Sequence, residues 1–301
     1  WRFSADELRW HRITALSSDN GKMIWSRPLN YMVRPVIVNN SIIVEPRFCD
    51  LLTGEIKTRI HPVTGKTVPW EYYRPGHTCA ITSATQNCLF YRSYNAAFYD
   101  LKGDRGITYF GAVRPGCWIN MIPANGLLLF PEASAGCTCS FPLRTTLVLK
   151  PVKKTEAGDW SVFVSQGPIT PVKRLGINLG APGDKKDENG NIWFGYPRPI
   201  TSYGIRFNLN ETVNENMGYF SYDARGMKIN GTEKPWLYTS GCVGFSKCKI
   251  KLLDEAWSVK SGSYTVRLGF YVPSGDRQFD IKIQGNTLLE DFDPKAEMDD
   301  N

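Results

Sequence analysis

Histidine is scarce in this chain, three in 301 residues, and none of the eight cysteines belongs to a Cys-x-x-Cys pair. Little is left from which to build a zinc site, so the thiols suit cross-linking of loops better than metal binding. No run of about 18 apolar residues occurs, so no membrane-spanning helix is encoded. Basic residues never form a run that could follow a phosphate backbone, which argues against a nucleic-acid partner. A Gly-x-Ser-x-Gly nucleophile is missing, and His11, His61 and His77 lie in turns or near glycine, where a surface role is expected. No catalytic residue, metal ligand or cofactor is therefore assigned. The chain opens at Trp1 with no charged-then-apolar leader, which reads as a processed or partial polypeptide.

What is abundant is β-forming. Valine, isoleucine, threonine, tyrosine and phenylalanine recur in short runs broken by glycine, proline and asparagine, the punctuation of strands and not of helices. The expected class is all-β, and the length favours two domains. The net charge of +7 is uneven: residues 1–150 carry 17 Lys+Arg against 10 Asp+Glu, the remainder 19 against 19. That excess reads as a solvated or partner-facing surface, and the acidic stretch from Glu290 to Asp300 as a solvated end.

The first half repeats a hairpin. Ile13 to Trp25 places an alternating strand before an Asn20-Gly21 turn and a closing tryptophan. The turn recurs in Asp50-Leu-Leu-Thr-Gly-Glu55, again in His61-Pro-Val-Thr-Gly-Lys66 with Trp70 following, and more weakly in Tyr99-Asp-Leu-Lys-Gly103. Between these turns lie apolar inner strands, Val36 to Val44, Cys79 to Tyr91 and Ile119 to Phe130, with Asn39-Asn40 and Ala124-Asn125-Gly126 as hairpin turns.

A strand, an Asp-x-x-Thr-Gly-Lys turn and a tryptophan resemble the blade of the pyrroloquinoline-quinone-type β-propeller repeat. The stretch from His77-Thr-Cys to Ser140-Phe-Pro, with Gly116-Cys-Trp-Ile-Asn120 and Cys137-Thr-Cys139, is similar to a group of planctomycete-like secreted propeller proteins. The resemblance implies that residues 1–150 are about three blades, fewer than the roughly 4–8 that close a propeller. Additional polypeptide is then expected to complete it.

Residues 151–165, with the polar run Lys153 to Gly158, read as a linker. Beyond it, Leu175-Gly-Ile-Asn-Leu-Gly180, Tyr264-Thr-Val-Arg-Leu-Gly-Phe270 and Arg277-Gln-Phe-Asp-Ile-Lys-Ile-Gln-Gly285 resemble a malectin-like carbohydrate-binding β-sandwich, or jelly roll. Residues 166–301 are assigned to it, with its closing strands missing.

The propeller resemblance would admit a quinone, but the tryptophan floor, the metal ligands and an adjacent Cys-Cys pair are not assembled, so Trp25 and Trp70 are read as packing residues. Cys117, Cys137 and Cys139 read as structural disulfide members, with Cys79 as a further partner. Cys49 and Cys88, outside the family pattern, could pair with each other, and Cys242 with Cys248 could close a short loop. Glu132 reads as a loop carboxylate. Carbohydrate binding needs aromatic faces and planar polar groups, for which Trp193, Tyr196, Tyr203, Tyr222 and Trp236 are the candidates, some of them core. Asn-x-Ser/Thr triplets at Asn39, Asn210 and Asn230 arise readily by chance.

Together these readings describe a secreted, periplasmic or cell-surface protein that binds a glycan without catalysis. A quinoprotein dehydrogenase with a glycan-targeting domain and an extracellular protein-interaction scaffold are the alternatives.

Overall fold

The structure, a computed structural model, describes residues 11–296 apart from 32, 77, 112, 133–144, 153–159, 166, 199–203, 224–225, 255–260 and 273–276. The described chain is all-β, with a short 3-10 turn at Pro235–Leu237. Its first half is a series of local antiparallel pairings. β1 (Arg12–Leu16) pairs with β2 (Met23–Pro28). β3 (Val36–Val38), β4 (Ser41–Val44) and β5 (Arg47–Asp50) form a meander whose first turn places Asn39 at φ 52°. β6 (Thr58–Ile60) and β7 (Thr67–Pro69) make the next hairpin. A four-stranded meander of β8 (Ser83–Ala84), β9 (Cys88–Ser93), β10 (Asn95–Asp100) and β11 (Ile107–Tyr109) follows. A three-stranded one of β12 (Ile122–Ala124), β13 (Leu127–Phe130) and β14 (Leu147–Leu149) comes next.

The repeated turns share one construction. Asp50 accepts the N–H groups of Leu52 and Thr53 on its carboxylate, and its carbonyl takes the N–H of Gly54, which stands at φ 69°. Asp100 does the same for Lys102 and Gly103, with Asp104 at φ 43° in the glycine's place. In the third copy the acceptor is His61, whose Nδ1 takes the N–H groups of Val63 and Thr64 at 3.2 Å while Gly65 supplies the left-handed residue. An acceptor side chain satisfies amides that the tight turn would otherwise orphan. The surface role expected of His61 is thus corrected: it is 1% exposed, a buried turn residue.

The second half begins with β15 (Gly176–Leu179), β16 (Lys185–Lys186) and β17 (Ile192–Tyr196), in which β15 runs parallel to β17 and β16 antiparallel on its other edge. β18 (Thr212–Val213), β19 (Tyr219–Ser221), β20 (Ser240–Cys242) and β21 (Phe245–Lys247) nest, β19 with β20 inside β18 with β21. β22 (Phe279–Ile283) and β23 (Asn286–Phe292) form a hairpin across Gln284-Gly285. Tyr264 to Phe270, expected as a late strand, forms no ladder with a strand among the described residues, although the Phe270 ring packs on Phe279 of β22 and Phe292 of β23. Its period-2 pattern is present; the backbone partner a strand needs is not.

Residues 160–165 correct the linker reading for the described part of that span. Ser161 to Ser165 are buried and form bridges to Asp184, Ile107 and Gly204. Val162 and Val164 pack in the core of Phe48, Tyr72, Leu89, Tyr91 and Ile107. Phe163 packs with Val63, Val172, Ile192, Phe194 and Ile205. Alternate side chains of an extended segment point to opposite sides, so this one segment serves two cores. The polar run 153–158 lies outside the described residues.

Candidate functional site

β17 shows why the aromatic candidates divide. Ile192, Phe194 and Tyr196 point into the core on one side, and Trp193 lies half-buried on the other. Tyr196, 7% exposed, stacks on Phe207 with ring centres 5.9 Å apart and planes 20° apart. Its hydroxyl donates to Glu211 Oε2 at 2.7 Å and lies 3.1 Å from Asn208 Oδ1. Burial raises the Tyr196 phenol, reinforced by Glu211, so it remains a proton donor. Burial opposes ionisation of Glu211, yet hydrogen bonds from Tyr196 and Tyr219 hold its carboxyl below the usual range. Tyr196, one of the aromatic candidates, is thus buried beneath Phe207 as a support.

The segment it supports contributes Gly204 and residues 206–208 as one wall of a cleft of 480 Å³ whose other walls come from Ser165, residues 167–170, Ile250, Lys251 and Asp254. Thr170, Arg206, Phe207, Asn208, Lys251 and Asp254 line it. The Asn208 amide oxygen already receives the Asn210 N–H at 3.0 Å, which orients the carboxamide. Lys251 and Asp254 stand 3.4 Å apart on the rim, an exposed pair of little energetic weight.

The wall is braced from below. Asp184 accepts the N–H groups of Phe163 and Gly195 and forms a buried ion pair with Arg198. Arg198 donates Nε–H to the Ile205 carbonyl at 3.1 Å, and its guanidinium lies 5.1 Å from the Phe194 ring centre and 5.8 Å from that of Phe207. Burial raises the Asp184 carboxyl, opposed by Arg198 and the two amides. The seam residue Phe163, the ion pair and the cleft wall are thus one connected unit. An aromatic ring, a fixed carboxamide and charged rim groups can engage the C–H face and hydroxyls of a sugar.

The remaining candidates lie elsewhere. Trp236, 9% exposed, meets Trp160 and Trp193 edge-on at 6.2 and 6.3 Å and so belongs to the packed candidates. Lys185 Nζ lies 5.1 Å from the Trp236 ring centre, and Lys234 Nζ 5.9 Å from that of Trp193. Lys234 also pairs with Asp187 at 2.7 Å, and Asp187 accepts the indole N–H of Trp193 at 3.2 Å. Burial opposes ionisation of Asp187, but these donors and Asn191 pull its carboxyl well below the usual range. The cluster satisfies itself. Tyr222 is exposed and tilts against Phe220. Tyr203 lies outside the described residues.

Nor does any disulfide join two of the described cysteines Cys49, Cys79, Cys88, Cys117, Cys242 and Cys248. Cys49 is fully buried with Trp25, Leu29, Ile42 and Val44, whereas Cys88 begins β9 opposite Asp100 in another sheet. Cys242 ends β20, Cys248 follows β21, and the two are not bridged. Cys117 receives a hydrogen bond from Arg92 at 3.3 Å, and Cys137 and Cys139 lie outside the described residues. The Glu132 backbone N–H donates to Thr146 Oγ1 at 3.3 Å.

Sequence reasoning missed Phe207, Asn208 and Arg206, which have no motif of their own; only the aromatic beside a planar amide could have drawn attention. It also missed Trp118, 76% exposed at φ 63°, a bulky residue in a backbone region that such residues rarely occupy. Compared with known proteins, the chain matches no protein-family model, no curated protein and no solved structure.

Proposed function

We propose that this is an exported carbohydrate-binding protein that acts without catalysis, with the sugar held in the cleft beside Phe207 and Asn208. One observation carries the reading: an aromatic ring and an oriented carboxamide line the same concave wall, braced by Tyr196 and Arg198. Binding sites of this kind work by pre-organisation, since ordering the groups on binding would cost affinity. The propeller and sandwich assignments belong to the same proposal. The repeated Asp- or His-capped turns support the first, and the cleft in the second half supports the second.

The test is binding of the full chain to neutral, acidic and amino oligosaccharides, by glycan array and then by calorimetry. A ligand is expected, with Phe207→Ala weakening it at least about tenfold and Asn208→Ala by roughly three- to tenfold, the range of a lost stacking contact or hydrogen bond. Absence of any carbohydrate ligand, or binding indifferent to both substitutions, would overturn the reading.

A further inference from the structure

Three Asn-x-Ser/Thr triplets stand in different surroundings. Asn39 is the left-handed residue of the β3 to β4 turn, and its carboxamide donates to the Gln86 carbonyl at 2.9 Å. The hydroxyl of its Ser41 accepts the Lys57 ammonium at 2.7 Å. Asn210 is also left-handed, at φ 43°, and donates its carboxamide N–H to the Lys249 carbonyl at 3.0 Å. Between Asn210 and Thr212, Glu211 binds both Tyr196 and Tyr219, so that triplet is locked into the support beneath the cleft.

Asn230 differs in its carboxamide. It is exposed, as the other two are, but its side chain makes no hydrogen bond to the described residues. Gly231 follows in a left-handed turn at φ 75°, and a Cβ built there meets nothing within 4 Å, so the space around the turn is open. Thr232 orders the exit of that turn by accepting the Lys234 N–H at 3.0 Å.

We propose that Asn230 is an N-linked glycan attachment site, and that Asn39 and Asn210 are not. This rests on the reading of the chain as exported. In the modification, Asn230 Nδ2 bonds to the anomeric carbon of an oligosaccharide carried on a polyprenyl diphosphate. The bond from that carbon to the diphosphate oxygen breaks, polyprenyl diphosphate leaves, and the amide gives up one proton. Nothing is oxidised or reduced. A bulky glycan must project into solvent in the folded protein, which the open turn at Asn230 allows. At the other two triplets it would displace a carboxamide already bound to the main chain.

The experiment places a secretory leader on the full chain, expresses it in a eukaryotic secretory host, and maps the secreted protein by peptide mass after enzymatic deglycosylation in heavy-oxygen water. Heavy aspartate is expected at position 230 and not at positions 39 or 210. Thr232→Ala and Asn230→Gln should each remove the glycan, and Asn230→Gln should leave the thermal transition of the deglycosylated protein unchanged. Secreted protein unmodified at Asn230, or modified equally at Asn39 or Asn210, would overturn the proposal. Because the leader imposes export and sugar binding is assayed separately, failure here is distinguishable from failure of the binding reading.

Discussion

Trp25 lies directly on Gly54, so close that a Cβ at Gly54 would sit 2.7 Å from the indole. The indole N–H also reaches the Leu51 carbonyl at 3.1 Å. The tryptophan that closes the first hairpin thus packs on the next copy of the capped turn. Trp70 reaches forward in the same way: it stacks on Phe48 and donates its N–H to Tyr99, the residue before the Asp100 turn. A closing tryptophan seated on the following repeat explains why tryptophan and turn travel together in the sequence.

Gly54→Ala should be strongly destabilising. The left-handed backbone costs a non-glycine residue about 1–2 kcal/mol, and the indole must also move. We expect a loss of at least about 2 kcal/mol in urea unfolding, with tryptophan fluorescence shifted in the folded state. An unchanged midpoint would show that the indole contact contributes nothing.

His61 should make stability depend on pH. Burial, with Arg59 and Lys66 adding to it, lowers its pKa to about 4, against about 6.5 in the unfolded chain. Its Nδ1 already accepts two amides and its Nε2 is buried with no partner, so a second proton is opposed on both sides. Above pH 6.5 the residue is neutral in both states and its contribution is intact. Between about 6.5 and 4 only the unfolded chain takes up the proton, so about 3 kcal/mol of stability is lost across that window. His61→Asn, which keeps a side-chain acceptor, should flatten the curve there. Parallel curves for the two proteins from pH 7 to 4 would refute the assignment.

Glu45 and Arg74 form a buried two-point pair, with contacts of 2.6 and 2.9 Å, and Arg74 also donates to the Ala80 carbonyl. Arg74→Met strands a carboxylate in the core and should cost about 3–5 kcal/mol, whereas Arg74→Met with Glu45→Leu should recover most of that loss. Denaturant unfolding of the two variants decides it; a double variant no better than the single one would locate the cost in lost packing.

Thiol reactivity should follow burial and not pairing. Cys248 is exposed and Cys49 fully buried, and burial raises the Cys49 thiol despite Arg47, Arg27 and Lys57. Under native, non-reducing conditions an alkylating reagent should mark Cys248 quickly and Cys49 only on unfolding. A Cys242 to Cys248 cross-linked peptide in the mass map would contradict the unbridged loop.

The strands and hairpin turns of the first half were legible in the chain because their causes are local. Asn20-Gly21, Asp50 to Gly54 and Asn125-Gly126 fix their turns through residues a few positions apart, and alternation marks the strands between them. The division of the aromatic candidates was not legible. Tyr196 and Tyr222 are equally aromatic in sequence, yet one lies under Phe207 and the other faces solvent, a difference set by which strand neighbours arrive from far along the chain.

Sequence by itself determined that this protein is built of short strands, with repeated capped turns and no helix or span of note, since β-branched runs and turn residues act over a few positions. Only the tertiary structure decided that Ser161 to Ser165 is a buried segment bridged to both halves, that Cys49 and Cys88 stand in separate sheets, and that Phe207 and Asn208 share a cleft wall. Each of those depends on which segments distant in the chain come to lie side by side, and no local rule of spacing encodes that.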